Sequence, residues 1–134
     1  MDTQKGVRAV FLSFLMLGLA PASRADRYGP WAYLGQAHVD GREDHDRISV
    51  NDNGWFRAIQ IGVKGGAIEF YRVLVHFENG ADHDVQVRSR IRSGERTRVI
   101  DLPGDRRRIR SVEFWYGKGS WGPSRPWVNL WGRR

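Results

Sequence analysis

The sequence predicts an all-β protein, an antiparallel β-sandwich of about eight strands after an N-terminal signal peptide. After residue 26 no stretch keeps a helical period, and short apolar or alternating runs are separated by Gly, Asn, Asp and Pro. Eight strands are too many for one flat sheet in a domain of about a hundred residues. Two packed antiparallel sheets are therefore favoured, and a small closed barrel is the alternative.

The N-terminus carries the three zones of a secretory signal peptide. Lys5 and Arg8 supply positive charge, residues 9–20 form an apolar run, and small residues follow through Ala25. Ser23 and Ala25 provide the small side chains that cleavage requires, so we expect cleavage after Ala25. The competing interpretation of the same segment is a buried first helix.

The predicted organisation is a signal peptide at residues 1–25 and a single β-sandwich domain at residues 26–134, in the periplasm or secreted. No later segment approaches the roughly 20 consecutive apolar residues of a membrane-spanning helix, so no transmembrane span is expected. The chain contains no cysteine. An exported domain without disulfides must be stabilised by its hydrophobic core.

Each predicted strand is bounded by turn residues, among which Asn51-Asp52-Asn53-Gly54 and Asn79-Gly80 are prominent. Lys64-Gly65-Gly66 predicts a hairpin between the strands on either side of it. The second of these strands is apolar on both faces and is expected to be central. The strands are expected at residues 31–39, 48–50, 56–63, 67–77, 85–92, 96–102, 107–116 and 127–131, with a β-bulge near Arg110 and Ser111.

A motif in the second half of the chain is similar to that of a family of small exported bacterial proteins of uncharacterised function. The opening Trp31-x-x-Leu34-Gly35 also resembles that family. The resemblance implies export and a β-sandwich, and it implies no activity, cofactor or catalytic residue. The motif reads Val75-x-Phe77-x-Asn79-Gly80, then Ile91-x-x-Gly94-x-x-Thr97-Arg98-x-Ile100-Asp101-Leu102-x-Gly104-x-x-Arg107-x-Ile109-x-x-Val112-x-Phe114-x-Tyr116.

Catalytic and metal chemistry find little support in the residue pattern. No cysteine or Gly-x-Ser-x-Gly elbow is present to supply a nucleophile, and His76 is expected to be a satisfied or partly buried core histidine. No catalytic residue, metal or cofactor is therefore predicted. Two His/Asp clusters in predicted loops lack a recognised ligand spacing; they are His38, Asp40, Asp44, His45 and Asp46, and Asp82, His83 and Asp84.

Arginines dominate the charge of the second half of the chain. Residues 88–110 hold nine arginines and three acidic residues, and the formal net charge of the chain is +7. Because residues two apart on a strand share a face, three of these arginines should form a row, with two more on a hairpin partner. The predicted anion-binding residues are Arg88, Arg90, Arg92, Arg96 and Arg98.

The sequence therefore predicts an exported, non-catalytic envelope protein that is a binding or structural module, monomeric or weakly associating. The expected partners are anionic lipid, lipopolysaccharide or glycan, and no nucleic acid is expected in that compartment. Six tryptophans suggest a carbohydrate-binding module as an alternative, with Trp121 as the exposed platform ring and the other rings in the core. A small hydrolase whose site is assembled from loops is the other alternative.

Overall fold

The computed structural model describes residues 30–39, 44–117 and 125–134. The chain divides into two compact units, Met1–Pro30 and Trp31–Arg134. All described strands belong to the second unit. The predicted signal peptide at residues 1–25 lies outside the described residues.

The described residues form eight strands in two four-stranded antiparallel sheets, which confirms the predicted all-β class and fits a sandwich. The first sheet has the order β1-β8-β3-β6, and the second sheet has the order β2-β7-β4-β5. The strands are β1 (Trp31–His38), β2 (His45–Ser49), β3 (Ala58–Lys64), β4 (Ile68–Phe77), β5 (Asp82–Ile91), β6 (Ile100–Asp101), β7 (Ile109–Tyr116) and β8 (Trp127–Arg133).

The core is built from the inward side chains of both sheets. Along β8, Val128 and Leu130 are fully buried, whereas the alternate residues Trp127, Asn129 and Trp131 are not. Each fully buried aliphatic or aromatic side chain contributes about 1.5–3 kcal/mol. Because the chain contains no cysteine, this core stabilises the domain without disulfide bonds. Its largest members are Tyr116, Phe56, Phe70, Phe77 and Phe114.

Consecutive strands pair only once among the eight described strands, where Asn79-Gly80 joins β4 to β5 in a tight turn. The predicted hairpin at Gly65-Gly66 is wrong, because β3 lies in the first sheet and β4 in the second. Gly65 has a φ of 89°, as a hairpin turn would require. Here the turn instead connects strands of two different sheets, because turn residues set the local backbone conformation and not the pairing of the next strand.

Two irregularities change which side chains face the core. The pairing of β4 with β7 shifts between His76 and Phe77, opposite Arg110, which confirms the predicted bulge. A second shift, between Phe70 and Arg72, was not predicted. It leaves Tyr71 exposed, so β4 is central as predicted, but only its inward face is buried.

Two predicted strands have different limits in the structure. The strand expected at residues 48–50 is β2, which begins at His45 because His45 pairs with Trp115 on β7. Most of the strand expected at residues 96–102 is extended chain, and only β6 is regular. This segment runs beside β3 and hydrogen-bonds to it, but the bonds are too irregular to form a continuous strand.

Candidate functional site

The predicted arginine row lies on β5, an edge strand of the second sheet. Val87 and Ile91 are buried, while Arg88 and Arg90 are exposed on the opposite face, so the predicted alternation is confirmed. Arg92 follows the end of the strand and is also exposed. Exposed guanidinium groups on an edge strand also oppose pairing with another chain.

Arg96 and Arg98 do not lie on a hairpin partner of β5, so that part of the prediction is wrong. After Gly94 the chain crosses to the first sheet, where the Thr97 amide donates to the Ile61 carbonyl at 2.7 Å. Arg96 forms a bridge with Gly62 on β3. In the first sheet this segment hydrogen-bonds to the edge of β3 that β8 does not occupy.

Arg88 and Arg98 nevertheless meet at a cleft of about 400 Å³ between the edges of the two sheets. Thr97 fixes the backbone there: its hydroxyl oxygen accepts from the Ile61 amide at 3.1 Å, and the hydroxyl donates to the Arg98 carbonyl at 2.9 Å. Thr97 is only 3% exposed, so this anchor is shielded from water. The remaining lining residues are Gln86, Val87 and Ser89.

The cleft arginines lack acidic partners, unlike four other arginines among the described residues. Among the described residues, no ion pair reaches Arg88, Arg90, Arg92 or Arg98. Each of those four guanidinium groups lies close to a carboxylate, and the bidentate hydrogen bonds of Arg72 lower the pKa of Asp84. The four pairs are Arg47 with Glu113, Arg57 with Asp105, Arg72 with Asp84, and Arg134 with Asp52.

The tryptophans are placed differently from the prediction. None of the five described tryptophans belongs to the buried core, and Trp55 and Trp127 are 51% and 39% exposed. Trp121, the predicted platform ring, lies outside the described residues. The alternation in β8 carried the missing signal, because Trp127 and Trp131 share a face with Asn129 rather than with the buried Val128.

His76 lies on the outer face of the second sheet, beside partners that no local sequence pattern indicates. Its Nδ1 atom is 2.7 Å from an oxygen of Asp82, and its Nε2 atom is 2.7 Å from Glu113. As predicted, the imidazole is partly buried and satisfied, although it does not face the core with Phe70. Both ring nitrogens are occupied by carboxylates, which leaves neither free to accept a substrate proton.

The predicted loop clusters hold few mutual contacts. His45 and Asp44 approach each other at 3.4 Å, and His38 instead contacts the carbonyl of Arg125. Asp40 lies outside the described residues. Within residues 30–39, 44–117 and 125–134, no group of three or more His, Asp or Glu side chains is arranged to hold a metal ion. The same part of the chain has no helix long and apolar enough to cross a membrane.

A family model described as a domain of unknown function, DUF2541, matches residues 10–132. The chain belongs to this family. No curated protein and no solved structure matches the chain. The DUF2541 family carries no established activity, so the arginine cleft must be interpreted from its own geometry.

Proposed function

We propose that this DUF2541 protein is an exported, non-catalytic binding module that takes an anionic component of the cell envelope at the arginine cleft. The observation that carries the proposal is that Arg88 on β5 and Arg98 in the segment beside β3 line one cleft without an acidic partner among the described residues. The N-terminal zones of the sequence support the export part of the proposal.

The chemistry of guanidinium groups favours phosphate as the bound group. Arginine presents a planar set of donors that matches the oxygens of phosphate, and it stays charged at any physiological pH. Two unneutralised arginines at one cleft repel each other unless an anion lies between them. Phospholipid head groups and lipopolysaccharide both offer phosphate, so the two sources share the recognised chemistry.

The contacts of His76 favour a binding function over hydrolysis. A hydrolase would use a histidine of this kind as a general base, and both ring nitrogens of His76 are taken by Asp82 and Glu113. No serine or threonine hydroxyl among the described residues forms a hydrogen bond with it. The cleft itself contributes Ser89 and Thr97, and Thr97 is committed to backbone hydrogen bonds.

The test measures binding to two phosphate-bearing probes. Purified protein is sedimented with phosphatidylglycerol vesicles, with phosphatidylcholine vesicles and with lipopolysaccharide, at about 50 and 300 mM salt. We expect binding to at least one anionic probe, with weaker binding at the higher salt concentration. The Arg88→Ser/Arg98→Ser variant should lose at least about tenfold in affinity.

A matched variant separates the cleft from net charge. Arg106→Ser/Arg110→Ser removes the same charge from two exposed arginines outside the cleft. If both double variants lose affinity equally, charge alone explains binding and the cleft is not the site. Equal binding to phosphatidylcholine, or binding to neither anionic probe, would overturn the proposed function.

A further inference from the structure

The outer face of the first sheet presents ordered rows of aromatic and polar side chains. Three strands contribute, and each β8 residue lies between a β1 partner and a β3 partner. We call this surface the aromatic face. Its rows are Trp31, Arg133 and Ala58; Tyr33, Trp131 and Gln60; Gln36, Asn129 and Gly62; and His38, Trp127 and Lys64.

Trp131 holds a guanidinium group in a fixed position on the aromatic face. The ring lies over Gly62, where an added Cβ would come within 2.7 Å of it. The guanidinium carbon of Arg96 lies 3.7 Å from the centre of the same ring. Stacking orients the planar guanidinium group, so less conformational entropy is lost when it binds an anion.

A hollow of about 230 Å³ lies beside this stack. Lys64 and Arg96 supply positive charge to it, and Asn129 supplies an amide. The Asn129 oxygen accepts a hydrogen bond from the Tyr33 hydroxyl at 3.0 Å, which leaves the amide N–H groups able to donate. The hollow therefore combines donors for hydroxyl or carboxylate oxygens with the ring of Trp131.

Exposed rings extend the surface beyond the hollow. Tyr33 is 52% exposed and Trp127 is 39% exposed, and both belong to rows that flank Asn129. The Trp127 ring stacks with His38 at 4.2 Å between centroids. Large exposed aromatic surface on a rigid sheet suits ligands that offer C–H groups and hydroxyls together, as the faces of sugar rings do.

The charge of the aromatic face selects among sugars. β1, β3 and β8 contain no Asp or Glu. Glu95 is the acidic residue at the hollow, and its carboxylate accepts from the Arg92 amide at 3.1 Å rather than from Arg96. Arg96 forms no ion pair among the described residues. The surface thus complements an anionic ligand rather than a neutral one.

We propose that the aromatic face binds an acidic polysaccharide. A sugar carboxylate is received by Arg96 and Lys64, hydroxyls are received by Asn129, and neighbouring rings of the polysaccharide pack on Trp127 and Tyr33. This site uses none of the residues of the arginine cleft, so it stands independently of the proposed phosphate binding.

The test compares two polysaccharides that differ only in charge. Binding of the purified full chain to polygalacturonate is measured by calorimetry, beside the same polymer with its carboxylates methyl-esterified, and hyaluronan serves as a second acidic probe. We expect binding to at least one acidic polymer, with weaker binding at high salt. If polygalacturonate binds, its methyl ester should bind at least about tenfold more weakly.

Variants locate the site. Arg96→Ala should lose at least about tenfold in affinity for the acidic polymer that binds, and Arg96→Lys should lose less because charge is kept while the planar donor set is not. Trp127→Ala should weaken binding without altering the charge. Arg88→Ser/Arg98→Ser should bind as the unaltered protein does, and circular dichroism should show that each variant is folded.

Four results would overturn the inference. These are binding to neither acidic polymer, equal binding to the methyl ester, unchanged binding by Arg96→Ala, and loss of binding in the cleft variant alone. The last result would assign the polysaccharide to the arginine cleft. Loss of vesicle binding in the cleft variant with polysaccharide binding intact would instead support both sites separately.

Discussion

The Nε2 atom of His76 on β4 lies 2.7 Å from a carboxylate oxygen of Glu113 on β7. Arg47 on β2 reaches the same carboxylate at 3.3 Å, and Asp82 on β5 holds the other imidazole nitrogen. The contacts run across all four strands of the second sheet. Charge-assisted hydrogen bonds are stronger than neutral ones, so the contribution of this network to stability should depend on pH.

Replacing Glu113 with Gln should make stability less dependent on pH. Burial raises the pKa of Glu113, but the hydrogen bond from His76 and the nearby Arg47 outweigh it and hold the pKa below the ordinary 4.5. A lowered pKa stabilises the fold above pH 4.5, and that stabilisation disappears as the pH falls through the folded-state pKa. Thermal unfolding should show a loss of about 2 kcal/mol in Glu113→Gln at pH 7 and a smaller loss at pH 3.

The control for this experiment is Glu78→Gln, which alters an exposed carboxylate that forms no ion pair among the described residues. Its unfolding should match that of the unaltered protein at pH 7. A difference between Glu113→Gln and the unaltered protein that stays constant from pH 7 to pH 3 would show that the network does not act through charge.

Replacing Val75 or Val73 with Asp should abolish folding. Both side chains are fully buried on the inward face of β4, between β5 and β7. An unpaired buried carboxylate costs more than the few kcal/mol by which a domain of this size is stable. The control is Gln86→Asp, an exposed position on β5. Cooperative unfolding retained by either valine variant would contradict the assignment of the core.

The sequence predicted the strands well because alternation is a local property. Val87 and Arg88 show which face of β5 is buried, and Arg110 marks a bulge through a break in the same alternation. Pairing between strands is not local. The Gly65-Gly66 turn has the conformation of a hairpin and still leads to the other sheet, because β4 pairs with β5 and β7 rather than with β3.

The candidate sites were predicted only in part for the same reason. The row at Arg88 follows from alternation within one strand, whereas the separation of Arg96 from that row depends on which sheet receives the next segment. The outward position of Trp131 could have been predicted from its parity with Asn129. The pairing of His76 with Glu113 could not, since the two residues are 37 positions apart in sequence and lie on different strands.

Cleavage after Ala25 remains a prediction that lies outside the described residues. Ser23 and Ala25 satisfy the requirement for small side chains, and the apolar run before them is too short to span a membrane. Intact-mass measurement of the exported protein should give a chain that begins at Asp26. A protein recovered outside the cytoplasm with Met1 still attached would contradict the signal-peptide interpretation.

Gly62→Ala should destabilise the aromatic face through one contact. The new Cβ would lie 2.7 Å from the Trp131 ring, a separation that real Cβ atoms do not adopt, so the ring must move and release the stacked Arg96. We expect a loss of about 1–3 kcal/mol in stability, altered tryptophan fluorescence and weaker binding of the acidic polysaccharide. Vesicle binding at Arg88 should be unchanged.

The atoms of Trp131 nearest to the new methyl group belong to the six-membered part of the indole, which Trp131→Phe would remove. The double variant should therefore be more stable than the sum of the two single changes predicts, because the smaller ring relieves the clash. Strictly additive losses would show that Gly62 is not required by the position of that ring.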